Sequence, residues 1–261
     1  MASERQRTLV AWYGVKPPQI ETLVRDCQHV LRSELNEWFQ PYQLSQVHAT
    51  VIGLEHRSES DNCNRNFATL RGRSEQMNID GFIRFLRASR LFPISIQIGG
   101  FHNRDYPFAS RSQRPYLRSF SIQRDKAVIL GWPVLGKTAA EERQHDGIFR
   151  DIGDSLKYPQ TLDRLRRSAQ NYGILHQYHK DTTDIDNDFY LRLGTLSTPI
   201  SRSTTEHVEG VLREDLSFRQ PTIVNVEVYD LSVVSYSSES LPCESSQAIR
   251  IAEQLDLETF G

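Results

Sequence analysis

Hydrophobic and polar positions along the chain set out a regular series of elements. Thr8 to Val15 is β-rich and ends at Lys16-Pro17-Pro18, which reads as a first strand. Gln19 to Phe39 then places Ile20, Leu23, Val24, Cys27, Val30, Leu31, Leu35 and Trp38 at helical spacing, and Pro41 stops the helix. Val47 to Leu54 reads as a short buried strand. Glu55 to Asn78 is polar and rich in Ser, Asn and Arg, a long surface loop or lid. A short helix over Ile79 to Ser89 and an alternating strand over Ile94 to Phe101 follow, then a polar loop from His102 to Pro115. Leu117 to Gln123 and Ala127 to Trp132 form a hairpin around Arg124-Asp125-Lys126. Phe149 to Tyr172 is a helix pair, or one helix broken at Pro159. Phe189 to Leu196 is a strand, Thr204 to Leu216 a helix, and Ile223 to Tyr236 one bent strand or two short ones. The polar segment after position 240 ends in a helix through Ile249, Ile251, Ala252 and Leu255. This order suits parallel βαβ units or two antiparallel sheets with helices on their outer faces. No Pro/Gly/Ser linker divides residues 1–240, which read as one domain.

Composition narrows the classes. The 261 residues are 38% hydrophobic and 25% charged, an ordinary globular balance, with a net charge of -2. No global positive field exists to hold long duplex nucleic acid, so any such ligand needs a local patch. Cys27, Cys63 and Cys243 are odd in number and far apart, neither a disulfide framework nor a zinc pattern. A reducing, cytoplasmic setting fits. No apolar run approaches membrane-spanning length, and the first residues do not read as a signal peptide. A soluble monomer is the expectation.

The chemistry concentrates on two strands. Side chains two apart on a strand share a face, so His48 and Thr50 stand side by side: an acid/base next to a hydroxyl. On the later strand Phe189, Leu191 and Leu193 point one way, while Tyr190, Arg192 and Gly194 point the other. A phenol and a guanidinium therefore share a polar face. Among other cations, Arg57, Arg65, Arg71 and Arg73 read first as solvated surface charges. His176 and His179 precede the second strand, across the acidic stretch Asp181 to Asp188.

His48-Ala49-Thr50-Val51 resembles the His-x-Thr signature of the two-histidine (2H) phosphoesterase superfamily, which includes RNA 2',3'-cyclic phosphodiesterase/ligase-like proteins. The resemblance implies a bilobal, duplicated α+β fold with two antiparallel sheets facing a central groove and helices outside, each lobe supplying one signature strand. It implies a metal-independent phosphodiesterase, with no cofactor, acting on a nucleotide or RNA-terminal cyclic phosphate. His48 is then the acid/base, and Thr50 and Arg192 hold the phosphate. The second signature falls on Tyr190-Leu191-Arg192-Leu193, where Tyr190 stands in the histidine position and Arg192 in the threonine position. Tyr190 is left as a weak acid or an orienting group, and His176 and His179 are the stand-ins for the missing second histidine. This departure opens an alternative, a non-catalytic protein that binds a phosphorylated small molecule or an RNA end.

A third reading comes from Gly131-Trp132-Pro133-Val134-Leu135-Gly136-Lys137-Thr138, which matches the Gly-x-x-x-x-Gly-Lys-Thr loop of phosphate-binding NTPases. Bulky residues fill its centre, and Pro133 lacks an amide that a phosphate nest uses. There is no Gly-x-Ser-x-Gly elbow, and the eight histidines are scattered rather than grouped as metal ligands.

Overall fold

The computed structural model describes residues 5–58, 61–135, 157–197 and 199–253. In chain order it has β1 (Gln6–Ala11), α1 (Pro18–Leu35), β2 (Phe39–Pro41), β3 (Ala49–Gly53), β4 (His56–Ser58), β5 (Asp61–Asn64), α2 (Arg65–Arg71) and α3 (Ile79–Ala88). There follow β6 (Ile94–Ile98), α4 (Pro115–Ser119), β7 (Phe120–Gln123), β8 (Lys126–Pro133), α5 (Thr161–Ser168) and β9 (Phe189–Leu196). The chain continues through α6 (Arg202–Phe218), β10 (Thr222–Val226), β11 (Leu231–Tyr236) and β12 (Gln247–Arg250).

The architecture is α+β and its strand pairings are antiparallel. Ten strands make one large sheet with the main path β10-β6-β8-β9-β3-β1-β11-β12, and β4 and β5 make a small second one. The expectation of two large facing sheets therefore differs from what is seen. β3 and β9 pair directly, Ala49 opposite Leu191 and Thr50 opposite Tyr190, and so join the strands on either side into one surface. That seam lies at the middle of the path, with four strands on each side of it counting β9 and β3 themselves.

Alternation assigns the two faces. Leu9, Ala11, Ala49, Val51, Ile129, Leu191 and Leu193 point into the main core, where the apolar stripes of α1, α3, α5 and α6 meet them through residues such as Leu31, Phe82, Leu165 and Leu212. The opposite face carries two smaller apolar clusters. Phe101, Val128, Leu130 and Trp132 lie toward one end, and Val10, Val234, Tyr236 and Leu241 toward the other. Thr50, Tyr190 and Arg192 fall on that second face, between them.

Several local expectations change. β3 begins at Ala49, so His48 is the residue that enters it. Within Glu55 to Asn78, β4 pairs with β5 and α2 follows, in place of the expected loop. Asn64 caps α2 by accepting the Phe67 amide, and Gly72 closes it in the left-handed region. Helix α1 stops at Leu35, and Trp38 is 44% exposed. Leu117 lies in α4 rather than in a strand. Gln247 to Arg250 is an edge strand on β11, not a helix, and Ile251 next to it is fully buried. Of Phe149 to Tyr172, only the part from 157 lies within the described residues. No helix among them is long and apolar enough to cross a membrane.

Candidate functional site

A cavity of about 470 Å³ opens on the second face of the sheet, over the β3–β9 seam. His48, Thr50, Tyr190 and Arg192 all line it, so the two polar strand faces read from sequence meet in one place. They are neighbours on adjacent strands of a continuous sheet. The far wall comes from the segment before β9, which contributes His176, Tyr178, Asp186 and Asp188.

His48 is 5% exposed. Its Nδ1 lies 2.7 Å from the carbonyl oxygen of Gln46. A carbonyl only accepts, so Nδ1 carries the proton and Nε2 is left for a ligand. Burial pulls the imidazole down to about 4; the Gln46 bond opposes this, while Lys16 and Arg192 reinforce it. Lys16, itself buried, donates to the carbonyls of Trp12 and Gly14, at 2.8 and 2.9 Å. Burial, reinforced by two cations, thus keeps His48 neutral, the form in which a histidine accepts a proton.

Tyr190 is pushed up to about 12, mainly by burial, with Arg192 working against the shift. Its phenol stays protonated at neutral pH and serves as a donor, not a base. Arg192 is 7% exposed. One of its Nη atoms donates to the Glu239 carbonyl at 3.0 Å, and the guanidinium sits 5.3 Å from the Tyr42 ring. Its Nε is buried and makes no hydrogen bond among the described residues. A buried donor left unpaired is costly, by roughly 1–3 kcal/mol, so Nε is a ready partner for an anionic oxygen.

The cavity is rich in cations. Arg65, Arg111, Arg124, Lys126, Arg166 and Arg192 line it, against the carboxylates of Glu55, Asp186, Asp188 and Glu239. Asp186 and Asp188 are already engaged. Asp188 accepts from Ser110 Oγ at 2.7 Å, Trp132 Nε1 at 2.8 Å and an Nη of Arg118 at 3.3 Å. Arg124 and Arg65 pair with no carboxylate among the described residues. An excess of positive charge inside a protein of net charge -2 is the local patch that an anionic ligand requires.

Of the four arginines noted in the polar stretch, Arg65 alone reaches the cavity. Arg57 pairs with Asp61 at 2.6 Å, Arg71 donates to the carbonyls of His179 and Lys180, and Arg73 lies near Glu75. The two later histidines part company. His179 is fully buried and bonds Asp163 at 2.9 Å, away from the cavity. His176 lines the cavity. Arg111, Arg124, Lys126, Asp186, Asp188 and Glu239 were not singled out from sequence. A signal did exist for two of them. Asp186, Asp188, Tyr190 and Arg192 recur at every second position, and all four line one cavity.

The Gly131–Thr138 match is divided by the fold. Gly131, Trp132 and Pro133 belong to β8 and pair with Ile98, Gln97 and Ile96 of β6, while Gly131 also faces Phe189 of β9. Lys137 and Thr138 lie outside the described residues. A phosphate nest needs consecutive free amides, and the first part of this stretch is engaged in a sheet ladder. The antiparallel sheet also differs from the parallel core that such a loop serves.

No family model matches the chain, and no curated protein matches it. Among solved structures, TT0787 of Thermus thermophilus is 12% identical, covering 94% of this chain and 93% of that one, with a TM-score of 0.34. A conserved protein of unknown function from Agrobacterium tumefaciens str. C58, ATU0111, is 13% identical over 86% of this chain and 82% of that one, with a TM-score of 0.38. Scores this low carry no argument about the chain.

Proposed function

We propose that the cavity over the β3–β9 seam holds a phosphorylated ligand, and that the chain is a metal-independent phosphodiesterase of the two-histidine type, acting on a nucleotide or RNA-terminal cyclic phosphate. One observation carries the reading. Thr50 stands opposite Tyr190 in the β3–β9 register, and the cavity above them also takes in His48 and Arg192. His48 accepts a proton through Nε2, Thr50 and Arg192 hold phosphate oxygens, and Tyr190 donates a hydrogen bond. Preorganised donors of this kind stabilise charge that develops on the phosphoryl oxygens.

The duplicated arrangement belongs to the same proposal. Support comes from the main path of the sheet, which runs four strands to each side of the β3–β9 seam, with β2 and β7 added on the β9 side. Each half then contributes its innermost strand to the site, and helices α1 and α6 share the core behind them.

The rival reading is a binding protein without turnover, and Tyr190 in place of a second histidine on that strand favours it. Hydrolysis of a panel of 2',3'-cyclic nucleotides, run beside equilibrium binding of nucleoside 2'- and 3'-monophosphates, separates the two. Turnover that disappears in His48→Ala supports the enzyme. Binding without turnover supports the rival, and neither binding nor turnover removes both.

A further inference from the structure

A second imidazole reaches the cavity not from β9 but from the facing wall. His176 is 4% exposed and lines the same cavity as His48. Its Nε2 lies 2.6 Å from Asp186 Oδ2. The carboxylate can only accept, so Nε2 carries the proton and the second ring nitrogen, Nδ1, faces no protein partner among the described residues. Asp186 is fixed in turn, since an Arg166 Nη lies 3.4 Å from the same oxygen and donates to the Asp186 carbonyl at 2.9 Å. A histidine oriented by a buried carboxylate, with its other nitrogen unpaired beside a cavity, is the arrangement used to hold and deliver a proton.

We propose that His176, held by Asp186, is the second catalytic acid/base of this cavity, a place that the signature pattern would assign to Tyr190; the inference rests on the phosphodiesterase reading above. Burial holds both imidazoles neutral, and their contacts differ. His48 has Lys16 and Arg192 beside it, which add to the effect of burial. His176 is held down by burial and Arg166, but the Asp186 carboxylate in contact opposes them. An anionic phosphate in the cavity adds a second counter-ion, so His176 is the ring that takes up a proton with the ligand bound, and His48, with two cations beside it, stays the acceptor. His48 Nε2 removes a proton from water, and the water oxygen forms a new bond to phosphorus. The bond from phosphorus to one ribose oxygen breaks, and its electron pair stays on that oxygen. His176 Nδ1 gives that oxygen a proton, so a cyclic phosphodiester and water become a phosphomonoester. The two rings end with their protonation exchanged, and solvent resets them.

The groups facing His176 are Asp186, Tyr178 and His179 from its own segment and Arg166 from α5, while Arg111 acts on Asp186 from the loop before α4. Asp186→Asn keeps the shape and loses the charge. It should therefore move the basic limb of the kcat–pH profile to lower pH, because the charged form of His176 loses its counter-ion.

The experiment has two arms. Long-range 1H–15N spectra of the histidine rings are recorded while a nucleoside 2'-monophosphate is added, with inorganic phosphate as a second probe. In parallel, kcat and KM are measured for the wild type, His176→Gln and Asp186→Asn on a 2',3'-cyclic nucleotide. The expected result is that His48 and His176 signals move together and saturate at one concentration. His176→Gln should lose about 100-fold or more in kcat with KM within a few-fold. If only the His48 ring responds, or His176→Gln retains kcat within about threefold, the inference is overturned and the cavity reading stands. If neither ring responds and no turnover exists, the cavity reading itself fails and the inference with it. Should His176→Gln not fold, Asp186→Asn decides, and an unmoved basic limb overturns the proposal.

Discussion

Arg166→Met tests whether the wall opposite β3 is held by one buried cation. Arg166 is 2% exposed. Its Nε donates to the Val51 carbonyl and its two Nη atoms to those of Asp186 and Asp188, each at 2.9 Å. It thus ties the middle of β3 to the segment that carries His176. Each bond from a charged donor contributes about 1.5–3 kcal/mol, but bonds sharing one donor do not add. Removing the cation also deprives buried Asp186 of the arginine in contact with it, and breaking a buried pair costs about 3–5 kcal/mol. We take ~4 kcal/mol as the loss, a large part of the ~5–15 kcal/mol that holds a typical domain. In urea, with a slope of about 3 kcal/mol per molar, the unfolding midpoint should fall by about 1.3 M. The assay is fluorescence of the buried Trp12 and Trp132 across a urea series. Arg202→Met removes an exposed pair with Glu206 and should leave the midpoint in place. A midpoint shift below about 0.3 M in Arg166→Met, with unchanged slope, would refute the claim that this side chain organises the wall.

Acid should destabilise the protein well before the carboxylates titrate. His48 and His176 are both held at about 4, mainly by burial, against an ordinary value of 6.5. The unfolded chain then binds more protons between pH 6.5 and 4, so stability is complete above 6.5 and falls as pH drops through that window, by up to about 3 kcal/mol per ring. Urea midpoints at pH 7 and pH 5 measure the fall, and His48→Gln should remove about half of it, leaving the part due to His176. Gly131→Ala should cost about 1–3 kcal/mol, read as a lower melting temperature. A Cβ there would meet the Gln97 carbonyl oxygen and Ile98 Cγ1, both at 2.6 Å, and an unchanged melting temperature would show that β6 and β8 have room to part. Lys137→Ala should leave magnesium-dependent nucleotide binding, measured by calorimetry, at its wild-type level. Loss of such binding would return the Gly131–Thr138 stretch to consideration.

What the sequence shows follows from what burial writes into it. Helix α1 and helix α6 each bury a clean stripe, and strand β9 alternates apolar residues with Tyr190, Arg192 and Gly194, so their periodicity is visible. Helix α2 is hidden because it buries only Phe67, and its two end signals, Asn64 and Gly72, sit in a run of polar residues. Strand β12 is exposed at all four positions, so no alternation marks it, and Ile249 with Ile251 suggests a helix instead. The union of the strands into one sheet was not legible, because pairing between segments as distant as Thr50 and Tyr190 depends on register in three dimensions. Sequence alone names His176 and His179 together as stand-ins for a second histidine and does not choose between them. His176 reaches the cavity because Arg166 gathers the 186–188 backbone, and Asp186 then captures the ring.

The alignment of the site follows from the packing behind it. Ala49 and Leu191 face each other across the seam and are both fully buried in the core. A slip of one residue on β9 would turn Leu191 toward the cavity and drive Arg192 into an apolar interior, and an unpaired charge there is among the costliest placements a fold can make. The core therefore locks the register, and the register places Thr50 opposite Tyr190. The polar face need not stabilise itself; it is held by the apolar side chains that alternate with it. This is why Arg192 Nε and His176 Nδ1 can stay buried without protein partners among the described residues. Their cost is borne by burial on the other side of the same strands and beneath the wall, and under the proposed function these are the atoms that a phosphorylated ligand would satisfy.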